Sequence, residues 1–407
     1  MTSSKNNRWK IVFGGFVPGE LVVGFTLSSI SALMFKISSD LSLTEFQTAL
    51  ILSTFPMAMV LFGIISGSLA DHFGIVRMNL FGLTMATLFL FARFFANDFI
   101  SIFLFSLLSS IGVAFIVPTL TKLVSTLFER DSQGLAVGVL SISYRFGAAS
   151  ILFAIPPLLQ LFSNNWNLIF LLGGLFGTST IMLFLYSNFK YDFSSKIPSP
   201  KNQDFSVLFN NIKFVLSFRL VLLITCSRFF QGGFLLGLSA FLPYLLQYTG
   251  SSLEDAALIS GSFWACQSVG SFLLPNISDR FQKRSSLLLL VGSSSIIFIL
   301  PLFFYWGNFT ITLLSFSVLG LIFAGITEVM WLIPLSDPNI TSKYIGSTTG
   351  LIMTAGSSGG IITSLLMGQI LELTSDIYFI LKFLLFLSVI MIITHFLINI
   401  NEPPKSS

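Results

Sequence analysis

The chain has 407 residues, 54% of them hydrophobic and 9% charged, with 21 Lys and Arg against 17 Asp and Glu. A soluble domain carries about a quarter charged residues, so this composition excludes the soluble classes and describes a chain solvated mainly by lipid. The small positive excess then bears on orientation in a membrane rather than on nucleic acid, for which no partner is expected.

Twelve apolar tracts follow one another, at roughly 9–34, 46–70, 76–97, 99–121, 134–161, 166–187, 218–246, 254–277, 285–306, 309–332, 346–371 and 377–399. A membrane span needs about 20 apolar residues, and each tract reaches that length or nearly so. The first is too long for the apolar core of a cleaved signal and lacks a small-residue cleavage site, so no signal peptide is expected. It carries Glu20. The second ends in GSLADHFGIVR, residues 67–77. The fifth holds Gly134, Gly138, Arg145 and Gly147. Between the sixth and seventh lies the longest hydrophilic stretch, 188–217, with Lys190, Lys196, Lys201, Lys213, Pro198 and Pro200. It reads as a cytoplasmic linker between two six-helix bundles, 1–187 and 218–407. The seventh tract carries Arg228, the eighth ends in PNISDRFQKR at 275–284, and the tenth carries Glu328 followed by Trp331 and Pro334. Cys226 and Cys266 both fall inside predicted helices as buried thiols, which makes no disulfide framework. With both termini cytoplasmic, sixteen of the 21 Lys and Arg lie on the inner side, as the positive-inside rule requires.

The two halves echo each other. Asp279 stands 208 residues after Asp71, and at the same offset Ala49-Leu50-Ile51 falls on Ala257-Leu258-Ile259. Further on, Gly134, Gly138 and Gly147 fall on Gly346, Gly350 and Gly359 at an offset of 212, so four residues enter the second half between its second and fifth helices. Small residues at such spacing let neighbouring helices approach closely. A chain built twice from one membrane unit is the pattern of secondary transporters, whose sites lie between the repeats.

The loop at 67–77 resembles the cytoplasmic signature of the major facilitator superfamily: Gly67, Asp71, Gly74 and Arg77 match it, while His72 and Val76 stand where basic residues are usual. The second copy keeps Asp279, Arg280, Lys283 and Arg284 and has Pro275 and Gln282 in place of the glycines. The resemblance implies an all-α membrane protein, with twelve transmembrane helices in two pseudo-symmetric six-helix bundles that rock about a central cavity. It also implies that the loop residues, Asp71 above all, act as a conformational switch, with Asp71 capping a helix of the other half or pairing with Lys122 or Arg130. The superfamily's antiporter motif in helix 5 is half matched by Gly138 and Gly147, but Ile151-Leu152 replaces its Gly-Pro pair. The missing pair counts against the antiporter group, and plain helix packing is the better reading of those glycines.

Four charges lie deep in the tracts: Glu20, Arg145, Arg228 and Glu328. A charge at the bilayer centre costs about 2.5–3.5 kcal/mol even on the lenient insertion scale, and marks function by default. The resemblance implies that helices 1, 4, 7 and 10 line the cavity, which puts Glu20, Arg228 and Glu328 on cavity helices. Glu20 and Arg228 are themselves 208 residues apart, opposite charges at equivalent positions. One expectation is that they face each other, Arg228 holding an anionic substrate through its planar fork and Glu20 coupling protons; a structural ion pair is the plain alternative. Arg145 and Glu328 form a second candidate pair, as an inner gate, a second substrate contact with Glu328 sharing the proton role, or static packing. Tyr144, Tyr244, Trp264 and Trp331 could line a site or simply pack.

No phosphate loop, metal-ligand cluster or nucleophile elbow is present in the sequence, so neither an enzyme nor a cofactor nor a bound metal is expected. The expected protein is a monomer in the plasma membrane that moves a small solute by alternating access. Its substrate is a small organic or inorganic anion carried with protons. The alternatives are a proton-driven exporter of multiple drugs or cations, with Glu20 as the shared site, and a transporter-like receptor that moves nothing.

Overall fold

A computed structural model of the chain describes residues 8–128, 130–191, 193, 213–278, 280, 284–334 and 342–401. Every element among them is helical, as lipid demands, because a helix satisfies its own backbone hydrogen bonds where no water is available. In chain order they are α1 (Arg8–Asp40), α2 (Glu45–Leu52), α3 (Thr54–Phe73), α4 (Ile75–Ala92), α5 (Phe99–Leu127), α6 (Arg130–Leu161), α7 (Asn167–Tyr191), α8 (Arg219–Tyr248), α9 (Leu253–Ser278), α10 (Arg284–Ile299), α11 (Phe309–Leu332), α12 (Ser342–Thr374) and α13 (Ile377–Asn401). Eleven spans are long and apolar enough to cross a membrane, or twelve if α2 and α3 count as one span bent by 42°. Pro56 explains that bend. It has no N–H to donate to Leu52 and its ring clashes with the preceding turn, so the helix breaks at Ser53 and restarts. A second irregularity sits in α1. Val12–Phe16 is a π-helical turn in which the Val17 N–H reaches back to the Val12 carbonyl. Pro18 follows at once, and Glu20 comes two residues later. Such π turns often mark functional segments.

The chain forms two compact units. The first comprises residues 1–43 and 57–203, the second 44–56 and 204–407. The division at 203/204 falls in the stretch 188–217, most of which lies outside the described residues. Unlike the division read from the sequence, α2 joins the second unit. Its first turn is tied there by side chains: the Tyr244 hydroxyl donates to Glu45 Oε2 at 2.5 Å, and the Phe46 N–H donates to Glu372 Oε2 at 2.9 Å. Glu372 thereby serves one of the free amides of the α2 N-terminus.

Within the first unit α1 packs most extensively on α6, and within the second α8 packs on α12. The two crossings are copies. A Cβ on Gly24 would meet the Tyr144 carbonyl, and one on Gly147 would meet Leu21. In the second unit the pairs are Gly232 against Gly356 and Gly359 against the Phe229 carbonyl. Each residue of the second set lies 208 or 212 positions after its counterpart. The repeat is therefore a repeat of packing. Backbones this close gain dispersion contacts that lipid cannot offer. Gly138 and Gly350 behave differently, since a Cβ at either meets no described atom within 4 Å; close packing accounts for Gly147 and Gly359 and not for these two.

The four added residues also find a place. α5 is capped by Asp98, which accepts from the Ser101 N–H at 2.8 Å. α11 is capped by Asn308, which accepts from the Ile311 N–H at 3.1 Å. These caps are 210 residues apart, so half of the insertion precedes α11 and half follows its start. Cys226 is exposed on α8 rather than buried, and Cys266 is half-buried.

Gly24→Ala and Gly359→Ala should each lower the apparent melting temperature in detergent by ~5 °C, because overpacking a tight crossing costs about 1–3 kcal/mol. Gly138→Ala, where a methyl meets open space, should leave it within ~1 °C.

Candidate functional site

The crossing of α1 and α6 carries two charges. Glu20 is 3% exposed and Arg145 5% exposed. Both sit within a turn of the point where Leu21 lies against Gly147 and the two helix backbones come closest. Arg145 is the charge that acts on Glu20. The Arg145 Nη1 donates to the Ser141 carbonyl at 3.2 Å, and its guanidinium lies 5.2 Å from the Tyr144 ring centroid. No donor among the described residues reaches Glu20 Oε1. One carboxyl oxygen is thus buried without a hydrogen bond, and the field of Arg145 offsets part of the cost of burying the group.

The equivalent crossing in the second unit is built differently. Arg228 takes the place of Glu20, and Ser357 stands where Arg145 would be. Arg228 is 7% exposed. Its Nη1 donates to Gln231 Oε1, one helical turn along α8. The Gln231 amide in turn donates to the Phe323 carbonyl at 2.7 Å and to Thr327 Oγ1 at 2.6 Å, both on α11. The Thr327 hydroxyl donates to the same carbonyl at 2.9 Å. On α12, Gly356 gives the guanidinium its room, since a Cβ there would come within 3.0 Å of Cζ and Nε. Trp331 lies 6.0 Å away on α11, in cation–π range. The cation is thus framed by an amide, an aromatic ring and a bare stretch of helix.

Other residues singled out above fall as follows. Glu328 is half-buried on α11, next to Thr327. In the loop after α3, Gly74 has φ +94° and caps α4, a conformation that needs a glycine, which explains that position of the motif. Arg77 is exposed. The Lys122 ammonium donates to the Gly67 carbonyl at 2.6 Å, tying α5 to the end of α3. The side chains of Asp71 and Arg130, and all of Asp279, lie outside the described residues, so the pairing of Asp71 rests on the sequence. Arg280 is exposed in a turn and Arg284 opens α10 half-buried. Within the first unit the structure puts Glu20 in the field of Arg145, a relation the sequence reading did not make. The expected Glu20–Arg228 and Arg145–Glu328 pairs each join one unit to the other and enter below as proposals.

Sequence reasoning missed Gln231, Thr327 and Gly356. Gln231 carried a signal, as an amide in an apolar tract one turn from a buried arginine. Gly356 follows from Tyr144 by the 212-residue offset. Arg93 was also underread. It is 1% exposed, donates to the Thr26 carbonyl at 2.9 Å and lies 5.5 Å from the Phe170 ring centroid, tying α1, α7 and the turn after α4.

Residues 16–404 match the family model of the Major Facilitator Superfamily. The chain belongs to the major facilitator superfamily. It is similar to a probable sulfoacetate transporter of Cupriavidus necator, 26% identical over 369 residues, covering 84% of this chain and 82% of that protein. It is also similar to a probable galactarate/D-glucarate transporter of Escherichia coli, 21% identical, with 84% and 82% covered. A hexuronate transporter of Bacillus subtilis is 23% identical, with 83% and 82% covered. Among solved structures, the nucleoside transporter NupG shares the fold with a TM-score of 0.75 at 12% identity, covering 96% of this chain and 99% of that one. The D-xylose-proton symporter does so at 0.74 and 15% identity, with 95% and 97% covered. The protein is therefore a multi-pass membrane transporter of this superfamily and not an enzyme.

Arg145→Met should destabilise the superfamily fold here by about 0.5–3 kcal/mol, because it removes the buried cation whose field acts on Glu20. The double variant Arg145→Met with Glu20→Gln should recover much of the loss. Thermal unfolding of the purified proteins in one detergent would rank the three.

Proposed function

We propose that the protein carries a small organic acid across the plasma membrane together with protons, as a monomer with both termini in the cytoplasm. The observation that carries this reading is the asymmetry of the two crossings. The first unit puts a buried carboxyl on one helix of its crossing and a buried guanidinium on the other. The second places a guanidinium at the equivalent point, with Ser357 where the first has its second charge. A framed, buried arginine offers a planar fork for an acid group. Three relatives bear names of carriers of sulfoacetate, galactarate or glucarate, and hexuronate, all of them acids, which supports an acid here.

In this reading Arg228 binds the acid and Arg145 is a second contact or a partner of Glu328 in closing the inner side. Glu20, buried with one oxygen free of hydrogen bonds, takes up and releases the coupled proton, with Glu328 as a second proton site. Glu20 facing Arg228 in one state of the cycle would let the acid and the proton compete for their partners. Asp71, Gly67, Gly74 and Arg77 in the first loop, with Asp279, Arg280 and Arg284 in the second, form the switch that holds one state. The buried Glu20 oxygen without a hydrogen-bond partner also favours a second reading, an exporter of cations in exchange for protons. The field of Arg145 repels a cationic substrate and weighs against that reading.

Purified protein in liposomes with a trapped pH dye tests both. Addition of sulfoacetate, glucuronate or glucarate should move protons with the acid. Arg228→Ala and Arg228→Lys should abolish that response, and Glu20→Gln should retain acid exchange while losing proton movement. A response to lipophilic cations alone would overturn the acid reading in favour of export.

A further inference from the structure

We infer that Gln231 is the positioning residue of the acid site: it sets the orientation of the Arg228 fork and is itself set by α11. The inference deepens the acid-carrier reading and rests on it. Its basis is the direction of each hydrogen bond. The Phe323 carbonyl can only accept, so the amino end of the Gln231 amide must face it. The Thr327 hydroxyl gives its proton to that carbonyl and therefore receives the second amide hydrogen on its oxygen. The amide oxygen is left pointing back along α8, where Arg228, which can only donate, supplies Nη1. No member of this chain can be reversed without placing two donors or two acceptors face to face. Gln231 is fully buried, so water cannot substitute for a missing link at low cost.

The consequence is a choice of edge. Arginine grips an acid group through two parallel N–H bonds. With Nη1 turned to Gln231, the plane of the guanidinium is fixed. Its Nε side lies buried against α12 at Gly356, where a Cβ would come within 3.0 Å of Nε and 3.2 Å of Nη2. The absence of a side chain on α12 and the anchoring of the amide on α11 thus act on one guanidinium from two sides. The glycine gives it room, and the amide decides in which direction its Nη hydrogens point. A flexible cation in an apolar site would bind acids through any of its nitrogens and with poor geometry. A fixed fork selects an acid group by the direction of its approach.

The test measures acid binding to the full-length protein in detergent by calorimetry, with glucuronate, glucarate and sulfoacetate as probes, and exchange rates in liposomes. Gln231→Leu keeps the size and removes every bond, and should raise the dissociation constant about ten-fold or more. Affinity should fall by a larger factor than the exchange rate at saturating acid, because the fork is misaimed while the helices still move. Thr327→Val leaves Gln231 in place and removes one of its two anchors. It should give a smaller rise, about three-fold, and decides the matter if Gln231→Leu does not fold. In an Arg228→Lys background, where no fork remains to aim, Gln231→Leu should add little further loss. Wild-type affinity in both Gln231→Leu and Thr327→Val would overturn the positioning role and leave the acid reading standing. Failure of the wild-type protein to bind any of the three acids would overturn both.

Discussion

Close contact of helix backbones at paired glycines is the constraint on which the rest of this structure depends. In lipid there is no hydrophobic gain from bringing two apolar helices together, so association rests on dispersion and on what can approach closely. Gly24 and Gly147 allow that for α1 and α6, and Gly232, Gly356 and Gly359 allow it for α8 and α12. Glu20, Arg145 and Arg228 all lie within a turn of these contacts. Glu20 precedes Leu21 and Arg145 follows Tyr144, the two residues whose backbones are touched. Arg228 precedes Phe229, which Gly359 touches, and Gly356 receives both Gly232 and the guanidinium.

The same scaffold holds opposite electrostatics in its two copies. In the first unit the crossing brings the Glu20 carboxyl into the field of a guanidinium, which offsets part of the cost of its burial. In the second, the small residues at 356 and 357 leave room instead of charge, and Arg228 is stabilised by an amide and an indole. Duplication thus supplied one geometry, and substitution at two or three positions turned one copy toward charge pairing and the other toward a framed cation. The repeated glycines could not vary in the same way, because a methyl group at the crossing meets backbone that cannot move aside.

The helix irregularities fall where the charges need them. The π turn and Pro18 come immediately before Glu20, and Pro56 divides the second span so that α2 packs with the second unit while the chain from Met57 onward packs with the first. A proline in a long apolar tract is visible in any sequence. That Pro56 separates two packing allegiances is not, because allegiance depends on Tyr244 and Glu372, which lie 199 and 326 residues from their partners on α2.

Membership of the membrane class, the number of apolar tracts within one, the two-fold repeat and the four buried charges were all legible in the sequence, because length, hydropathy and offset are properties of the chain order itself. The glycine of the loop at position 74 was legible for the same reason: a turn between two helices imposes a local backbone angle. What only the tertiary structure decided was which charge acts on Glu20 within its own unit: the α1–α6 crossing brings Arg145 into its field, although the two lie on helices far apart in sequence. Gln231, Thr327 and Gly356 became visible as a group only when three helices, far apart in sequence, were packed around one guanidinium.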